Sequence, residues 1–129
     1  MIQMNLLGAG GGVIDTQTVT VGYKHTGSDD AWGYRSGSMG SISDGTFNPK
    51  GGATITELYY GTSFPLAFVS FTLNGSQTND GWDAMTIAGT TYTRASATFS
   101  NSSTTSWTWL VASNPFGTTV GATVVATFT

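Results

Sequence analysis

The sequence predicts an all-β fold, an antiparallel β-sandwich or jelly roll with eight to nine strands, from three observations. Aromatic residues make up 12% of the 129 residues, and Val, Ile and Thr are frequent, a composition that favours strands. Apolar and polar residues alternate in several segments, and turn residues separate these segments at short spacing. No segment has a convincing helical period. Two packed sheets bury one face of every such strand.

The first half of the chain has the clearest alternation. In residues 16–24, Val19, Val21 and Tyr23 fall on one side and polar residues on the other, which predicts one strand. Further strands are predicted around Trp32 and Tyr34, over residues 53–60, and over the almost continuously apolar residues 66–73. The loop-rich part between them has three apolar residues that we expect to point inward: Met39, Ile42 and Phe47.

The second half continues the pattern. Residues 85–88 and 91–93 predict a hairpin around Gly89, and a short strand at 97–99 follows. Trp107 and Trp109 lie two residues apart in a strand at 106–111, so both are expected on the core face. Residues 120–129 predict the closing strand. The chain therefore divides into an arm, 1–12, and one domain, 13–129.

The charge and the cysteine count argue against several function classes. The net charge is −3, and four Lys and Arg residues do not form the basic patch that a nucleic acid or an anionic membrane requires. The chain has no Cys, and no apolar run is long enough to insert into a membrane. The surface predicted from this composition is typical of proteins that work outside cells, but no export signal is expected. A virion surface protein, made in the host cytoplasm and released by lysis, fits both this surface composition and the lack of an expected export signal.

The arm combines apolar residues with a glycine run. Ile2, Leu6 and Leu7 would meet water unless they contact a neighbouring subunit or a capsid, so they are candidate contact residues. A frayed terminus is an equally open interpretation.

Catalytic and metal sites are not expected. His25 is the only histidine, in a polar loop near Asp29 and Asp30, and no nucleophile motif accompanies it. Asp80 and Asp83 cluster with Asn79, but without the spacing of a calcium loop, so turn formation is the favoured interpretation. We therefore predict no enzyme activity, no metal and no cofactor.

Aromatic residues offer an alternative role in glycan binding. Trp82 lies in a predicted loop, where stacking on a sugar and packing in the core are equally open. Tyr59 and Tyr60 are adjacent, so one of them must face outward in a strand. Trp82 and Tyr60 are the candidate glycan contacts.

Several sequence segments resemble a module of tailed-bacteriophage virion surface proteins. They are the run from Asp80 to Phe99, Ser-Trp-Thr-Trp at 106–109, Asn-Pro-Phe-Gly at 114–117, Trp-Gly-Tyr at 32–34, Gly-Ser-Ile-Ser at 40–43 and Ile-Thr-Glu-Leu-Tyr-Tyr at 55–60. Together they span most of residues 16–129. The resemblance implies a structural virion component and carries no catalytic motif to transfer.

Two roles follow from that resemblance. The first is a capsid decoration (cement) protein that stabilises the head, as a homo-oligomer, with a trimer favoured, bound to the major capsid protein or other virion subunits. The alternative is a tail-fibre or tail-tip protein that recognises a host surface glycan.

Overall fold

A computed structural model of the chain describes residues 12–50, 52–63, 66–74, 81–99 and 105–129. These residues form eleven strands and two short 3-10 helices, at Asn48–Lys50 and Arg94–Ser96. The strands are β1 (Asp15–Thr20), β2 (Gly22–Thr26), β3 (Asp29–Arg35), β4 (Ser41–Ile42), β5 (Thr46–Phe47), β6 (Ala53–Gly61), β7 (Phe68–Asn74), β8 (Ala84–Ile87), β9 (Thr90–Thr93), β10 (Thr105–Leu110) and β11 (Thr123–Phe128). No helix among the described residues is long and apolar enough to cross a membrane.

The strands form two antiparallel sheets, which confirms the predicted all-β sandwich. A five-stranded sheet has the order β4-β1-β11-β8-β9. A six-stranded sheet has the order β10-β7-β6-β3-β2, with β5 paired to β6 beside that path. Every pairing in the two sheets is antiparallel. In this arrangement each sheet turns one face to the other and one to solvent.

The predicted strand count of eight to nine was low. The loop-rich part holds two two-residue strands, β4 and β5, too short for a sequence period to reveal. The predicted strand at 97–99 is only an isolated bridge between Phe99 and Thr108. The predicted strand at 16–24 is two strands, because β1 belongs to the five-stranded sheet and β2 to the six-stranded sheet.

The chain crosses between the sheets at Val21. The backbone N–H of Val21 donates to the carbonyl of Ala122 at 2.8 Å, and the Val21 carbonyl accepts from the N–H of Gly121 at 2.8 Å. These two hydrogen bonds hold the chain in place at the crossing. A Cβ on Gly22 would collide with the backbone of Gly40. The crossing therefore depends on glycine, which permits the two backbones to touch.

The core between the sheets is rich in aromatic rings, as expected for a small domain. Phe71 stacks on Trp107 with ring centroids 5.6 Å apart, and Phe47 and Phe128 meet edge to face at 4.8 Å. Trp107 and Trp109 are both buried, as predicted. The other predicted inward residues are also confirmed, since Met39 and Phe47 are buried and Ile42 is half-buried against the core.

The predicted hairpin is present as β8 and β9, which pair from Ala84 opposite Thr93 to Ile87 opposite Thr90. Both turn residues have a positive φ, 51° at Ala88 and 84° at Gly89. Positive φ at both central positions of a two-residue turn matches the twist of the paired strands.

Candidate functional site

The solvent-facing side of the six-stranded sheet carries aromatic, charged and hydroxyl-bearing side chains. Leu58 and Phe71 point into the core, so their neighbours along the strands, Tyr59 and Ser70, point to the opposite side of the sheet, where Tyr59 is half-buried and Ser70 is buried. Tyr59 and Ser70 lie opposite each other in the register, and Ser70 in turn lies opposite Thr108. We call this side of the sheet the outer face.

Tyr59, and not the predicted Tyr60, is the tyrosine that reaches the outer face. Tyr60 lies on the core side, half-buried, with its ring 6.1 Å from that of Trp32. The cause is a β-bulge in β6 between Ile55 and Glu57, where the pairing register shifts. Strict alternation from the buried Ile55 would send Tyr59 inward, whereas the extra residue at the bulge reverses the phase.

Tyr59 and Phe68 form an aromatic ridge across the outer face. Their ring centroids are 5.6 Å apart, and the planes meet at 78°. Phe68 lies opposite Gly61, and a Cβ on Gly61 would stand only 2.6 Å from the Phe68 ring. Glycine at this position therefore allows the Phe68 ring to lie flat across the neighbouring strand.

A polar depression lies on one side of the ridge, with a volume of about 160 Å³. Its floor is made of small residues, Ala31 and Gly61. The side chains around it include Lys24, Asp29 and Thr62, which supply hydrogen-bond donors and acceptors. The depression therefore combines a shallow floor with groups that can bind hydroxyls.

An apolar depression lies on the other side of the ridge, with a volume of about 360 Å³. It is lined by six residues: Tyr59, Phe68, Ser70, Phe99, Ser106 and Thr108. Phe99 is 46% exposed, so much of its ring is open to solvent beside this depression. Three aromatic rings thus face a floor of Ser and Thr.

Charged groups hold the Tyr59 ring in place. The Arg35 guanidinium lies 4.9 Å from the centroid of the Tyr59 ring, and its Nε is 3.5 Å from Oε2 of Glu57. Burial raises the pKa of the Tyr59 phenol, and the negative charge of Glu57 raises it further. Tyr59 is therefore a neutral phenol at pH 7, able to donate a hydrogen bond.

His25 and its neighbours lie at the edge of the same sheet. The His25 Nδ1 and the Tyr23 hydroxyl both approach Oδ1 of Asp30, at 2.8 and 2.5 Å. These hydrogen bonds, first that of Tyr23 and then that of His25, lower the pKa of Asp30. Among the residues that the structure describes, no group of three or more His, Asp and Glu side chains could hold a metal ion.

Trp82 is only 3% exposed, which corrects its candidacy as a glycan contact. Its ring packs edge to face against Trp107 at 5.0 Å and against Phe71 at 5.6 Å. The core interpretation of Trp82 is the one that holds. The remaining candidates of the arm and the acidic cluster, Ile2, Leu6, Leu7, Asn79 and Asp80, lie outside the described residues.

The chain matches no protein-family model, no curated protein and no solved structure.

The outer face combines the two features that sugar recognition requires. A pyranose ring has an apolar face of C–H groups and a rim of hydroxyls. Tyr59 and Phe68 offer aromatic surface for the first, while Lys24, Asp29 and Thr62 offer donors and acceptors for the second. Sequence reasoning missed this site because the β6 bulge concealed Tyr59, and because Phe68 and Phe99 read as ordinary core residues of two strands.

Proposed function

We propose that this chain is a non-enzymatic recognition domain of a bacteriophage virion surface, and that it binds a host surface glycan through the outer face. One observation carries the proposal: the aromatic ridge of Tyr59 and Phe68 stands on a solvent-facing sheet between a polar and an apolar depression. The virion context comes from the sequence resemblance, and the glycan from the chemistry of the surface.

A sugar fits this surface better than a protein partner does. Protein interfaces have close-packed centres from which charged residues are depleted. The polar depression instead has Lys24, Asp29 and Arg35 around a small hollow next to the ridge. A sugar ring can stack on the ridge and direct its hydroxyls to these groups, whereas a protein would need to fill two unlike hollows.

Tyr59→Ala is expected to weaken glycan binding about tenfold or more, because it removes the stacking surface and a phenol donor. A glycan array with the wild-type chain identifies a ligand, and titration calorimetry then compares the variants. Val125→Ala is the control for the loss of an exposed side chain, since Val125 is 48% exposed and lies on the five-stranded sheet, away from the outer face. Equal affinity of wild type and Tyr59→Ala would contradict the proposal.

A second candidate function, shell decoration, is favoured by the outward side of the five-stranded sheet. Thr16, Thr127, Thr86 and Thr91 lie in one row across β1, β11, β8 and β9. Val125, in the next row, is 48% exposed. A face of threonine and valine side chains is suited to packing against another virion subunit.

The position and copy number of the chain in an intact particle separate the two functions. Hundreds of copies over the head would support decoration, as a trimer on the major capsid protein. A few copies at the tail would support glycan recognition. Quantitative mass spectrometry of purified particles measures the number.

A further inference from the structure

We propose that the apolar depression receives a methyl group carried by a sugar, either the methyl of an N-acetyl group or that of a 6-deoxy sugar. This inference rests on the proposed function, because it names the class of glycan that the outer face selects. The methyl group is the shared chemistry of the two sugar classes. The rings of Tyr59, Phe68 and Phe99 would enclose it.

The lining of the depression favours an apolar substituent over a hydroxyl. A methyl group that leaves water for a site between aromatic rings gains the free energy of hydrophobic burial. A hydroxyl in the same place loses its hydrogen bonds to water, and contact with the face of an aromatic ring compensates little of the lost free energy. The depression therefore discriminates between a methylated sugar and its unmethylated counterpart.

The floor can satisfy the polar atoms that accompany such a methyl group. Of the three hydroxyl-bearing residues beneath the rings, Ser70 and Thr108 are buried, and Ser106 is the half-buried one whose hydroxyl a ligand can reach. Ser106 Oγ is 3.1 Å from Thr72 Oγ1, which also donates to Oε1 of Glu57 at 3.2 Å. This chain of hydrogen-bonded hydroxyls can form one more hydrogen bond, either with the amide of an N-acetyl group or with a ring hydroxyl beside a 6-deoxy carbon.

The backbone beside Phe99 and the space for the Phe68 ring are in place before a ligand arrives. The backbone N–H of Thr98 donates to the carbonyl of Thr108 at 2.6 Å, and the Thr98 hydroxyl donates to the same oxygen at 2.5 Å. These bonds hold Phe99 beside β10. Gly61 leaves room for the Phe68 ring across β6. A backbone that is already ordered loses little conformational entropy when a ligand binds.

The two depressions differ in the sugar unit that each would favour. The polar depression, with Lys24, Asp29 and Thr62, suits a sugar rich in hydroxyls, while the apolar depression suits the methylated unit. The ridge of Tyr59 and Phe68 lies between them. An oligosaccharide that crosses the ridge would place one unit on each side.

Three trisaccharides test the inference: N-acetylglucosamine trisaccharide, a rhamnose trisaccharide, and cellotriose as the unmethylated reference. In calorimetry, at least one methylated probe is expected to bind about fourfold more tightly than cellotriose, the effect of burying one methyl group. In saturation-transfer NMR, its methyl protons should receive the strongest signal from the protein. Which methylated probe binds identifies the source of the methyl group.

Phe99→Ala is expected to abolish the preference for the methylated probe and to change cellotriose binding less than twofold. Phe99→Leu, which keeps an apolar wall, should retain most of the preference. Equal affinity for methylated and unmethylated probes would overturn the inference, as would an equal loss for both in Phe99→Ala. In either of those results the proposed function would stand if the probes bind and Tyr59→Ala weakens their binding. Failure of all three probes would overturn the inference, and failure of the full glycan array would overturn the proposed function as well.

Discussion

Trp82→Ala should lower the free energy of unfolding by about 3–5 kcal/mol, the range for removing a large aromatic side chain from a core. Trp82 contacts the rings of Phe47, Phe71, Trp107 and Phe128, with centroid separations between 5.0 and 6.1 Å. Its removal leaves a cavity at the centre of this cluster. Urea denaturation followed by circular dichroism measures the loss, which is a large share of the stability of a small domain.

Trp82→Phe is the matched control for this prediction. The indole Nε1–H of Trp82 is buried and has no hydrogen-bond partner among the described residues. Phenylalanine keeps a ring in the cluster and removes this unpaired donor, which itself carries a desolvation penalty. Trp82→Phe should therefore lose much less stability than Trp82→Ala. If Trp82→Ala instead kept full stability and weakened glycan binding, Trp82 would be a surface contact and the core assignment would be wrong.

The position of Trp82 shows that assigning a residue to a loop does not predict whether its side chain is buried or exposed. The sequence placed Trp82 correctly before the strand that begins at Ala84. That part of the chain passes from the six-stranded sheet to the five-stranded sheet, so a ring there can enter the space between them. Alternation within strands predicts which face a side chain takes, but a residue between strands has no such pattern. Only the packing of the two sheets settles its direction.

The pair Tyr59 and Tyr60 shows a second limit. The sequence required that one of the two face outward, and that much is confirmed. The choice between them depended on the phase of alternation, which the bulge between Ile55 and Glu57 reverses. The buried strands, the hairpin at Gly89 and the two core tryptophans were predictable because each rests on a local pattern. The aromatic ridge was not, since it depends on a bulge and on the opposition of Phe68 and Gly61 across two strands.

Gly40→Ala should destabilise the protein by about 3 kcal/mol or more, from two additive causes. Gly40 has a φ of +64°, and alanine in that conformation is less stable by about 1–2 kcal/mol. The new Cβ would also collide with the carbonyl oxygen of Gly33 and approach that of Thr20 to 2.6 Å. These are backbone atoms of packed strands, so relief of the collision requires a shift of the backbone. Thermal and urea unfolding measure the loss.

Gly117→Ala separates the two causes, because Gly117 has a similar φ of +73° but no atom of the described residues lies within 4 Å of the place that a Cβ would take. It should show only the conformational part, about 1–2 kcal/mol. The difference between the two variants then measures the close approach at the crossing where β1 leaves one sheet and β2 enters the other. Equal losses would mean that the backbones near Gly40 separate at little cost. Because β2 carries Lys24 to the polar depression, a backbone shift at this crossing should also weaken glycan binding in Gly40→Ala, while Gly117→Ala should bind as the wild type does.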